Sequence, residues 1–279
     1  MKEFSFLLLL ILLVACAAPA PTTAPSAPRK PFIVAHRGGA ALAPENTLAA
    51  FANAIKLGVD MVECDVHLSK DGQVVVMHDP DVSRTTDGRG QIGDLTLAEI
   101  KTLNAAAKFP GGYAAQTVPT LAELLDVVKG KTILQIEVKV NARQQRYPDI
   151  ERKVLELVNA RGMINDVIVI SFDFPTLVEF KTLEPRVKTG ALLRADWFTA
   201  RGNNAEKIVA DAMEASRADY LMPTFAPVTE TLVNVVHARG FQIGVWTVDN
   251  SADMTRLAGW GVDAITTNRP DELKRVLGR

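Results

Sequence analysis

The sequence predicts an α/β fold in which eight parallel strands alternate with helices and close into a (β/α)₈ barrel. From residue 120 onward, apolar runs of strand length alternate with segments of helical periodicity, as in a parallel sheet with crossover helices. Nine strands can be counted. The third follows the second through a tight turn, which a parallel connection does not allow. Eight parallel strands remain, and eight is the number that closes a barrel.

An open, doubly wound sheet is the alternative architecture. Such a sheet often carries a Gly-x-Gly-x-x-Gly loop after its first strand, and the sequence has none there. The barrel is therefore favoured, and it would place the functional side chains at the carboxyl ends of its strands.

The first elements are predicted from short apolar runs and capping residues. Residues 32–36 form a short buried strand. Asn46 is the predicted N-cap of a helix whose apolar positions recur with helical spacing over 48–55, and Gly58 ends that helix. The second strand is predicted at 60–66.

The later elements follow from the same alternation, after one irregular segment. Residues from about 79 to 119 are polar and rich in turns, with a short helix at 97–103, and they are too long for an ordinary loop. We predict a small insertion there, after the second barrel strand. The further predicted strands are 133–138, 167–172, 188–193, 219–222, 242–248 and 263–267, and the further helices are 120–129, 148–161, 174–183, 204–215, 229–239, 251–259 and 270–277.

The second strand and the antiparallel run at 73–78 meet at Asp71-Gly72. Asp-Gly between alternating apolar residues predicts a two-residue type I′ turn. In that register Asp65 lies opposite His78 and shares a face with Glu63. His67 continues this face but lies nearer to the turn, so we predict a position at the rim without function for it.

The N-terminus is predicted to lie outside the folded domain, which we place at 32–279. The apolar run at 4–15 is too short to span a bilayer but suits a signal peptide. It ends in Leu-Val-Ala before Cys16, which resembles a bacterial lipobox with a lipidated cysteine. We predict a lipoprotein signal peptide at 1–15 and a flexible tether at 16–31. The protein would then be lipid-anchored to a membrane of the bacterial cell envelope, in the periplasm or at the cell surface. The alternative is an ordinary signal peptide and a secreted product.

The composition is that of an ordinary globular domain. The 279 residues are 48% hydrophobic and 23% charged, with a net charge of −1. Because the chain has no general basic field, it is not expected to bind nucleic acid. The second cysteine, Cys64, alternates away from the neighbouring acidic residues and is predicted to pack as a small hydrophobic residue.

Charged side chains stand at the ends of several predicted strands. Glu63, Asp65 and Glu137 come from two neighbouring strands, and three carboxylates suit a hard divalent cation such as Ca²⁺ or Mg²⁺. Arg37 and Lys139 lie beside them. Positive charge next to a metal fits a substrate phosphate.

Two histidines and two aromatic residues complete the candidate site. His36 and His78 come from different strands and could flank a phosphorus atom, one taking a proton from the nucleophile and the other giving one to the leaving alkoxide. Trp246 and, on weaker grounds, Phe172 are predicted to line the substrate pocket. Glu45 is either a carboxylate at a helix start or a partner for the neighbouring arginine.

The order of these motifs resembles the glycerophosphodiester phosphodiesterases, from about residue 33 to 275. The motifs are His36-Arg37-Gly38, Pro44-Glu45-Asn46-Thr47, Glu63-x-Asp65, Lys70-Asp71-Gly72 with His78-Asp79, Glu137-x-Lys139, Trp246-Thr247 and Thr266-x-Asn268-x-Pro270. The resemblance implies a TIM barrel of the phosphatidylinositol phospholipase C-like type that hydrolyses glycerophosphodiesters to glycerol 3-phosphate and an alcohol. It also implies that the three carboxylates bind the metal, the two histidines are acid and base, and the arginine and lysine hold the phosphate.

The sequence departs from the family pattern at two positions and leaves several alternatives open. Asn268 stands where aspartate is frequent, and Asp249 stands where asparagine is common. The sequence does not decide which histidine is the acid, or whether water or a neighbouring substrate hydroxyl attacks the phosphorus. A lysophospholipase D-like enzyme with an acylated substrate and a non-enzymatic surface-binding lipoprotein are the alternative functions.

Overall fold

Eight parallel strands close into a barrel in the computed structural model, which describes residues 30–279. In chain order the strands are β1 Phe32–Ala35, β2 Met61–Leu68, β3 Val74–Val76, β4 Ile133–Val138, β5 Val167–Ser171, β6 Lys188–Leu193, β7 Tyr220–Pro223, β8 Gln242–Val245 and β9 Ala264–Thr267. The order around the barrel is β1-β2-β4-β5-β6-β7-β8-β9, and β9 pairs with β1. Because β3 is the antiparallel neighbour of β2, the predicted barrel of eight parallel strands is confirmed.

Helices surround the barrel, and most lie where the periodicity predicts them. They are α1 Leu48–Leu57, α2 Leu97–Ile100, α3 Leu121–Val128, α4 Ile150–Asn159, α5 Phe174–Leu183, α6 Ala195–Thr199, α7 Ala205–Ser216, α8 Glu230–Ala238, α9 Ser251–Gly259 and α10 Pro270–Val276. The short α6 was not predicted, because five residues are too few to show helical periodicity. None of the helices at 30–279 is both long and apolar enough to span a bilayer. The predicted signal peptide and nearly all of the predicted tether lie outside the described residues.

Two apolar layers hold the barrel together. The outer layer lies between strands and helices and contains fully buried side chains such as Phe51 and Phe180. The inner layer fills the barrel with residues such as Ile168, Leu192 and Met222. Burying a large apolar side chain contributes roughly 1.5–3 kcal/mol, so the two layers can offset the cost of the charged groups at the carboxyl end of the strands.

Strand alternation on β2 separates charge from the outer layer. All eight residues of β2 are buried. Cys64 belongs to the outer apolar layer, as predicted, while Glu63 and Asp65 alternate with it and point to the opposite side. The barrel thus buries two carboxylates from a single strand.

The hairpin between β2 and β3 differs from the predicted one by one residue. Ser69 N donates to Gln73 O at 3.0 Å, and Gly72 N donates to Ser69 O at 2.9 Å. The turn therefore holds three residues, with a positive φ of 74° at Gly72 and none at Asp71. This is the pattern of a type I turn followed by one left-handed residue.

The register that rested on the type I′ turn was consequently wrong. Met77 N donates to Asp65 O at 3.0 Å, which places Met77, and not His78, opposite Asp65. Because β3 ends at Val76, strand pairing does not fix the position of His78. Other contacts must hold that histidine.

Residues 79–119 leave the barrel after β3 and return to it before α3. They contain two single turns of 3₁₀ helix, Val82–Arg84 and Ile92–Asp94, in addition to α2. An apolar cluster within the segment includes Ile92, Ile100 and Val118 and packs against Val75 of β3. The segment therefore has its own small core, seated on the hairpin.

The start of α1 also differs from the prediction. Thr47 is the N-cap, because its side chain accepts a hydrogen bond from Ala50 N at 3.2 Å. Asn46, the predicted cap, has a left-handed backbone with φ 58°. Its side chain turns instead toward the carboxyl end of the barrel.

Candidate active site

A cavity of about 510 Å³ opens at the carboxyl end of the barrel. It brings together eight of the predicted site residues, namely His36, Arg37, Glu63, His78, Glu137, Lys139, Phe172 and Trp246. Asp65 lies beneath them and is fully buried, at 0% exposure. The predicted lipidation site, Cys16, lies outside the described residues.

The three predicted metal ligands form one cluster. One carboxylate oxygen of each of Glu63, Asp65 and Glu137 lies within 4.8 Å of the others, because β2 and β4 pair in register with Asp65 beside Glu137. All three side chains are buried. Among residues 30–279, Glu63 Oε1 has no hydrogen-bond donor, and such an orphaned oxygen costs roughly 1–3 kcal/mol. The donor set therefore fits a hard divalent cation.

Two cationic side chains counter the charge of the cluster. Lys139 Nζ lies 2.9 Å from Asp65 Oδ1 and 2.5 Å from Glu137 Oε1, and Arg37 Nε lies 3.4 Å from Asp65 Oδ2. Burial alone would raise the pKa of Asp65, but these two charges hold it well below its ordinary value. Asp65 therefore carries its negative charge permanently.

The pKa of Glu63 is shifted in the opposite direction from that of Asp65. Burial, together with the charges of Asp65 and Glu137, raises its pKa well above the ordinary value. Burial and the charge of Asp65 also raise the pKa of Glu137, despite its contact with Lys139. A third negative charge in the cluster thus requires further positive charge, which a bound metal ion would supply.

The loop after β1 is shaped to meet this cluster. Arg37 has a left-handed backbone, with φ 53°, and its N–H donates to Glu63 Oε2 at 2.9 Å. The next residue, Gly38, has φ 83°, and a Cβ there would lie 2.8 Å from the Cβ of Ala50. Only glycine lets the loop pack this closely on α1.

Asn46 adds a neutral contact to the same cluster. Its Nδ2 donates to Asp65 Oδ2 at 2.8 Å, in a buried position. Its left-handed backbone is thus the local conformation that turns the amide toward the carboxylate. The sequence predicted a helix cap for Asn46, because an asparagine before a helix is most often a cap.

Glu45 connects Arg37 to the insertion. Its carboxylate accepts from Arg37 Nη1 at 2.9 Å and from both Nη atoms of Arg84 at 2.6 and 2.9 Å. Arg84 also pairs with Asp79, whose Oδ1 lies 2.6 Å from His78 Nδ1. Of the two alternatives for Glu45, the structure thus shows the contact with Arg37. The ion pairs form a continuous chain from Arg37 to His78.

His67 is buried, so the prediction of a rim position was wrong. It has 0% exposure because β2 continues to Leu68 and the segment after β4 covers it. Its Nε2 lies 3.0 Å from the carbonyl oxygen of His78, and its Nδ1 lies 3.0 Å from Tyr147 Oη. Because a carbonyl only accepts, Nε2 carries the proton and Nδ1 accepts from the tyrosine. His67 thus holds the backbone of His78, which strand pairing does not.

His36 is backed by a neutral amide. Its Nδ1 lies 2.7 Å from Asn268 Oδ1, while Asn268 Nδ2 donates to Asp249 Oδ2 at 2.8 Å. Because a carboxylate only accepts, the NH₂ of Asn268 faces Asp249 and its oxygen faces the imidazole. His36 Nδ1 therefore carries a proton, and Nε2 is left as an acceptor. Burial and the charge of Arg37 lower the pKa of His36 to about 4.

His78 is backed by a carboxylate instead. Its Nδ1 faces Asp79 at 2.6 Å, and its side chain is about one third exposed, at 31%. Burial, Lys139 and Arg37 lower its pKa, while Asp65 and Asp79 oppose the shift. The two predicted acid–base residues therefore differ in the group that fixes their Nδ1.

The predicted aromatic residues form a wall of the cavity. Phe172 and Trp246 pack edge to face, with ring centroids 5.4 Å apart at 84°. Trp246 Nε1 donates to Met222 O at 2.7 Å, and the Trp246–Thr247 peptide bond is cis. The cavity thus combines a charged side with an apolar side.

Several residues that hold the site were not assigned this role from the sequence. They are Asn46, His67, Asp79, Arg84, Tyr147, Asp249 and Asn268. Asp249 and Asn268 could have been recognised, because both depart from the family pattern. The aspartate and the asparagine of that pattern are exchanged between these two positions. No spacing in the chain predicts the contact of His67 with Tyr147.

Comparisons with known proteins agree with this geometry. Residues 36–272 match the model of the glycerophosphoryl diester phosphodiesterase family. The chain is 36% identical over 244 residues to a glycerophosphodiester phosphodiesterase of Caldanaerobacter subterraneus subsp. tengcongensis, with 88% of this chain and 96% of the relative covered. It is 33% identical over 264 residues to a glycerophosphodiester phosphodiesterase of Bacillus subtilis, with 89% and 87% covered.

Solved structures show the same fold. An Oleispira antarctica phosphodiesterase in complex with the product sn-glycerol-3-phosphate has a TM-score of 0.77 and 28% identity, with 90% of this chain and 98% of that chain covered. A glycerophosphodiester phosphodiesterase from Agrobacterium tumefaciens has a TM-score of 0.73 and 28% identity, with 88% and 99% covered. The chain therefore belongs to the glycerophosphoryl diester phosphodiesterase family, and it is an enzyme of the glycerophosphodiester phosphodiesterase class.

Proposed function

We propose that the protein hydrolyses glycerophosphodiesters to glycerol 3-phosphate and an alcohol, at a divalent metal site and with two histidines as base and acid. The observation that carries this proposal is the convergence of a buried carboxylate triad, two cations and two imidazoles in one cavity. The relative that was solved with sn-glycerol-3-phosphate supports the assigned product.

Glu63, Asp65 and Glu137 would hold the metal ion, which we propose to be Ca²⁺ or Mg²⁺. When bound, such an ion supplies positive charge that polarises the phosphoryl oxygens and offsets the charge that develops on them. Arg37 and Lys139 pair with the triad and also line the cavity. We assign them to the phosphate, whose non-bridging oxygens would share their positive charge.

We assign the general base to His36. Its Nδ1 proton is held by Asn268, so Nε2 is free to take a proton from the attacking hydroxyl group. A pKa of about 4 keeps the imidazole neutral at physiological pH. His78 is then the acid that protonates the leaving alkoxide. Burial, Lys139 and Arg37 lower the pKa of His78 in the free protein. The carboxylate of Asp79 and the negative charge of an arriving phosphodiester oppose this shift and favour the protonated form.

The nucleophile is either water or a hydroxyl group of the glycerol half of the substrate. In both cases the new P–O bond forms as His36 accepts the proton, and the bond to the alcohol breaks as His78 gives its proton. Attack by the substrate hydroxyl gives a cyclic phosphate, which water then opens. Trapping of a cyclic glycerol phosphate during single turnover would select this route, and its absence would select direct attack by water.

The apolar wall of the cavity supports a second candidate activity. Phe172, Leu192 and Trp246 line one side of the cavity, where the acylated glycerol half of a lysolipid could also bind. A lysophospholipase D-like enzyme would release free choline from a choline lysolipid and would leave glycerophosphocholine intact. Parallel assays on these two substrates separate the two activities.

We further propose that a lipid on Cys16 anchors the protein to a membrane of the bacterial cell envelope, in an extracytoplasmic position. The support is the sequence Leu-Val-Ala-Cys at the end of an apolar run of signal-peptide length. A tether of the predicted length would leave the barrel free to reach small substrates near the membrane.

Removal of divalent ions is expected to abolish glycerol 3-phosphate release from glycerophosphocholine, and added Ca²⁺ or Mg²⁺ should restore it. Glu63→Gln keeps the size of the side chain but removes a charge from the triad, so we expect kcat/KM to fall roughly 10²–10³-fold. Glu151→Gln is the matched control, because Glu151 is a buried carboxylate that pairs with Arg146 and does not line the cavity. Activity that survives chelation, or that survives in Glu63→Gln, would contradict the metal site.

The pH dependence of kcat/KM tests the role of His36. With a pKa of about 4, the base is lost only as the pH falls toward 4. In the double variant Asn268→Asp/Asp249→Asn, a carboxylate faces His36, stabilises the imidazolium and raises its pKa. The base is then protonated at a higher pH, so the acid limb of the kcat/KM profile should shift to higher pH.

Asp249→Asn alone is the control for this exchange, because it keeps a neutral amide beside His36. Its acid limb should stay near that of the natural protein. An acid limb that does not move in the double variant would exclude His36 as the group that titrates there.

Cys16→Ala is expected to move the protein from the membrane fraction to the soluble fraction and to prevent incorporation of labelled fatty acid. Cys64→Ala is the control, because Cys64 is buried in the barrel wall and should leave both measurements unchanged. Membrane association of the Cys16 variant without label would show that something other than this lipid holds the protein.

A further inference from the structure

An arginine without a carboxylate partner stands at the mouth of the cavity. Arg194 directly follows β6, is exposed, and lines the same cavity as the two candidate catalytic histidines. Its Cζ lies 3.9 Å from the ring centroid of Phe172. The guanidinium thus rests on the outer face of the aromatic wall.

Two other arginines stack on aromatic rings, and both also form ion pairs. Arg201 lies over Trp197 and pairs with Asp211 at 2.8 Å, and Arg256 lies over Trp260 and pairs with Asp253. Arg194, in contrast, forms no ion pair with any residue of 30–279. Of the three, it is the one whose positive charge faces a cavity.

The acidic residues nearest to Arg194 in sequence and in the cavity wall are engaged elsewhere. Asp196 accepts a hydrogen bond from Trp197 N at 2.8 Å. Asp173 accepts from the backbone N–H and the hydroxyl of Thr176 at 3.0 and 2.9 Å. Neither carboxylate forms an ion pair with Arg194, and Asp173 lies 3.7 Å from Arg146 Nε instead. Among residues 30–279, no direct carboxylate contact therefore occupies the guanidinium of Arg194.

Arg194 lies across the barrel from the loop after β1, which carries His36 and Arg37. β6 lies diametrically opposite β1 in the eight-stranded ring, and His36 follows β1 directly. If the phosphate of a substrate lies between the histidines, one half of the substrate points across the barrel toward the aromatic wall, and we assign the alcohol half to this side. Arg194 would then meet the far end of that alcohol.

The stacking of Arg194 on Phe172 determines which ligands could bind at the mouth of the cavity, because the ring holds the guanidinium in place. A planar, weakly hydrated guanidinium binds the oxygens of a carboxylate or a phosphate in a bidentate geometry. The same stacking covers the face of Phe172 that a quaternary ammonium group would otherwise use. At Phe172 the wall thus favours an anion over a cation.

We propose that Arg194 forms a subsite for an anionic group on the alcohol half of the substrate, either a carboxylate or a second phosphoryl group. This inference rests on the proposed hydrolysis of glycerophosphodiesters and specifies which of them the site prefers.

Glycerophosphoserine and glycerophosphoethanolamine test the subsite, because they differ only by one carboxylate. We expect the natural protein to have a kcat/KM about three- to fivefold higher for glycerophosphoserine, the size expected for an exposed ion pair. The preference should shrink as the salt concentration rises. A dimer of glycerol phosphate, with a second phosphoryl group in place of the carboxylate, shows which of the two anions is favoured.

Arg194→Met should remove the preference by lowering kcat/KM for glycerophosphoserine alone, and Arg194→Lys should retain part of it. Arg201→Met is the matched control, because Arg201 also stacks on an aromatic ring but does not line the cavity. It should leave the ratio of the two kcat/KM values unchanged.

A natural protein without preference for either anionic substrate, or an Arg194→Met variant that slows both substrates equally, would overturn the subsite. Failure of the proposed function would look different, because none of the three substrates would then release glycerol 3-phosphate. That result would also contradict the subsite.

Discussion

Mutual repulsion among the carboxylates of Glu63, Asp65 and Glu137 is the constraint on which the rest of the site depends. A fold does not bury three such groups within 4.8 Å of one another without compensation. The surrounding residues supply it: Lys139 and Arg37 contact Asp65, Asn46 donates to it, and the backbone of Arg37 donates to Glu63. The left-handed conformations at 37 and 46 exist because these donors must point inward. A bound metal ion would supply the positive charge that these contacts do not provide.

Separate polar contacts hold the two histidines and give them different surroundings. A neutral amide faces His36, while a carboxylate faces His78. The insertion after β3 takes part in this difference, since Arg84 joins Asp79 to Glu45 and so links both sides of the cavity. The insertion therefore contributes to the candidate active site, and Val82 of its small apolar core begins the 3₁₀ turn that ends at Arg84.

Much of this could be predicted from the sequence, and what could not has a physical reason. Strand–helix alternation and strand count were sufficient for the barrel, because crossover geometry restricts the topology. The convergence of the charged residues followed, since the ends of parallel strands meet at one edge. The hairpin register failed, because Asp-Gly is compatible with turns of two or three residues and one residue changes every pairing. His67 and Asn46 were misjudged because each depends on a partner distant in the chain, Tyr147 for one and Asp65 for the other.

The central claim is that the buried triad is completed by a divalent cation. Thermal unfolding in increasing Ca²⁺ or Mg²⁺ tests it most directly, because a ligand that binds only the native state stabilises it by about 2.7 kcal/mol at 100 times its Kd. The account predicts that the Tm of the natural protein rises with the ion, and that the Tm of Glu63→Gln rises far less. A Tm that does not respond to either ion, or that rises equally in the two proteins, would contradict it.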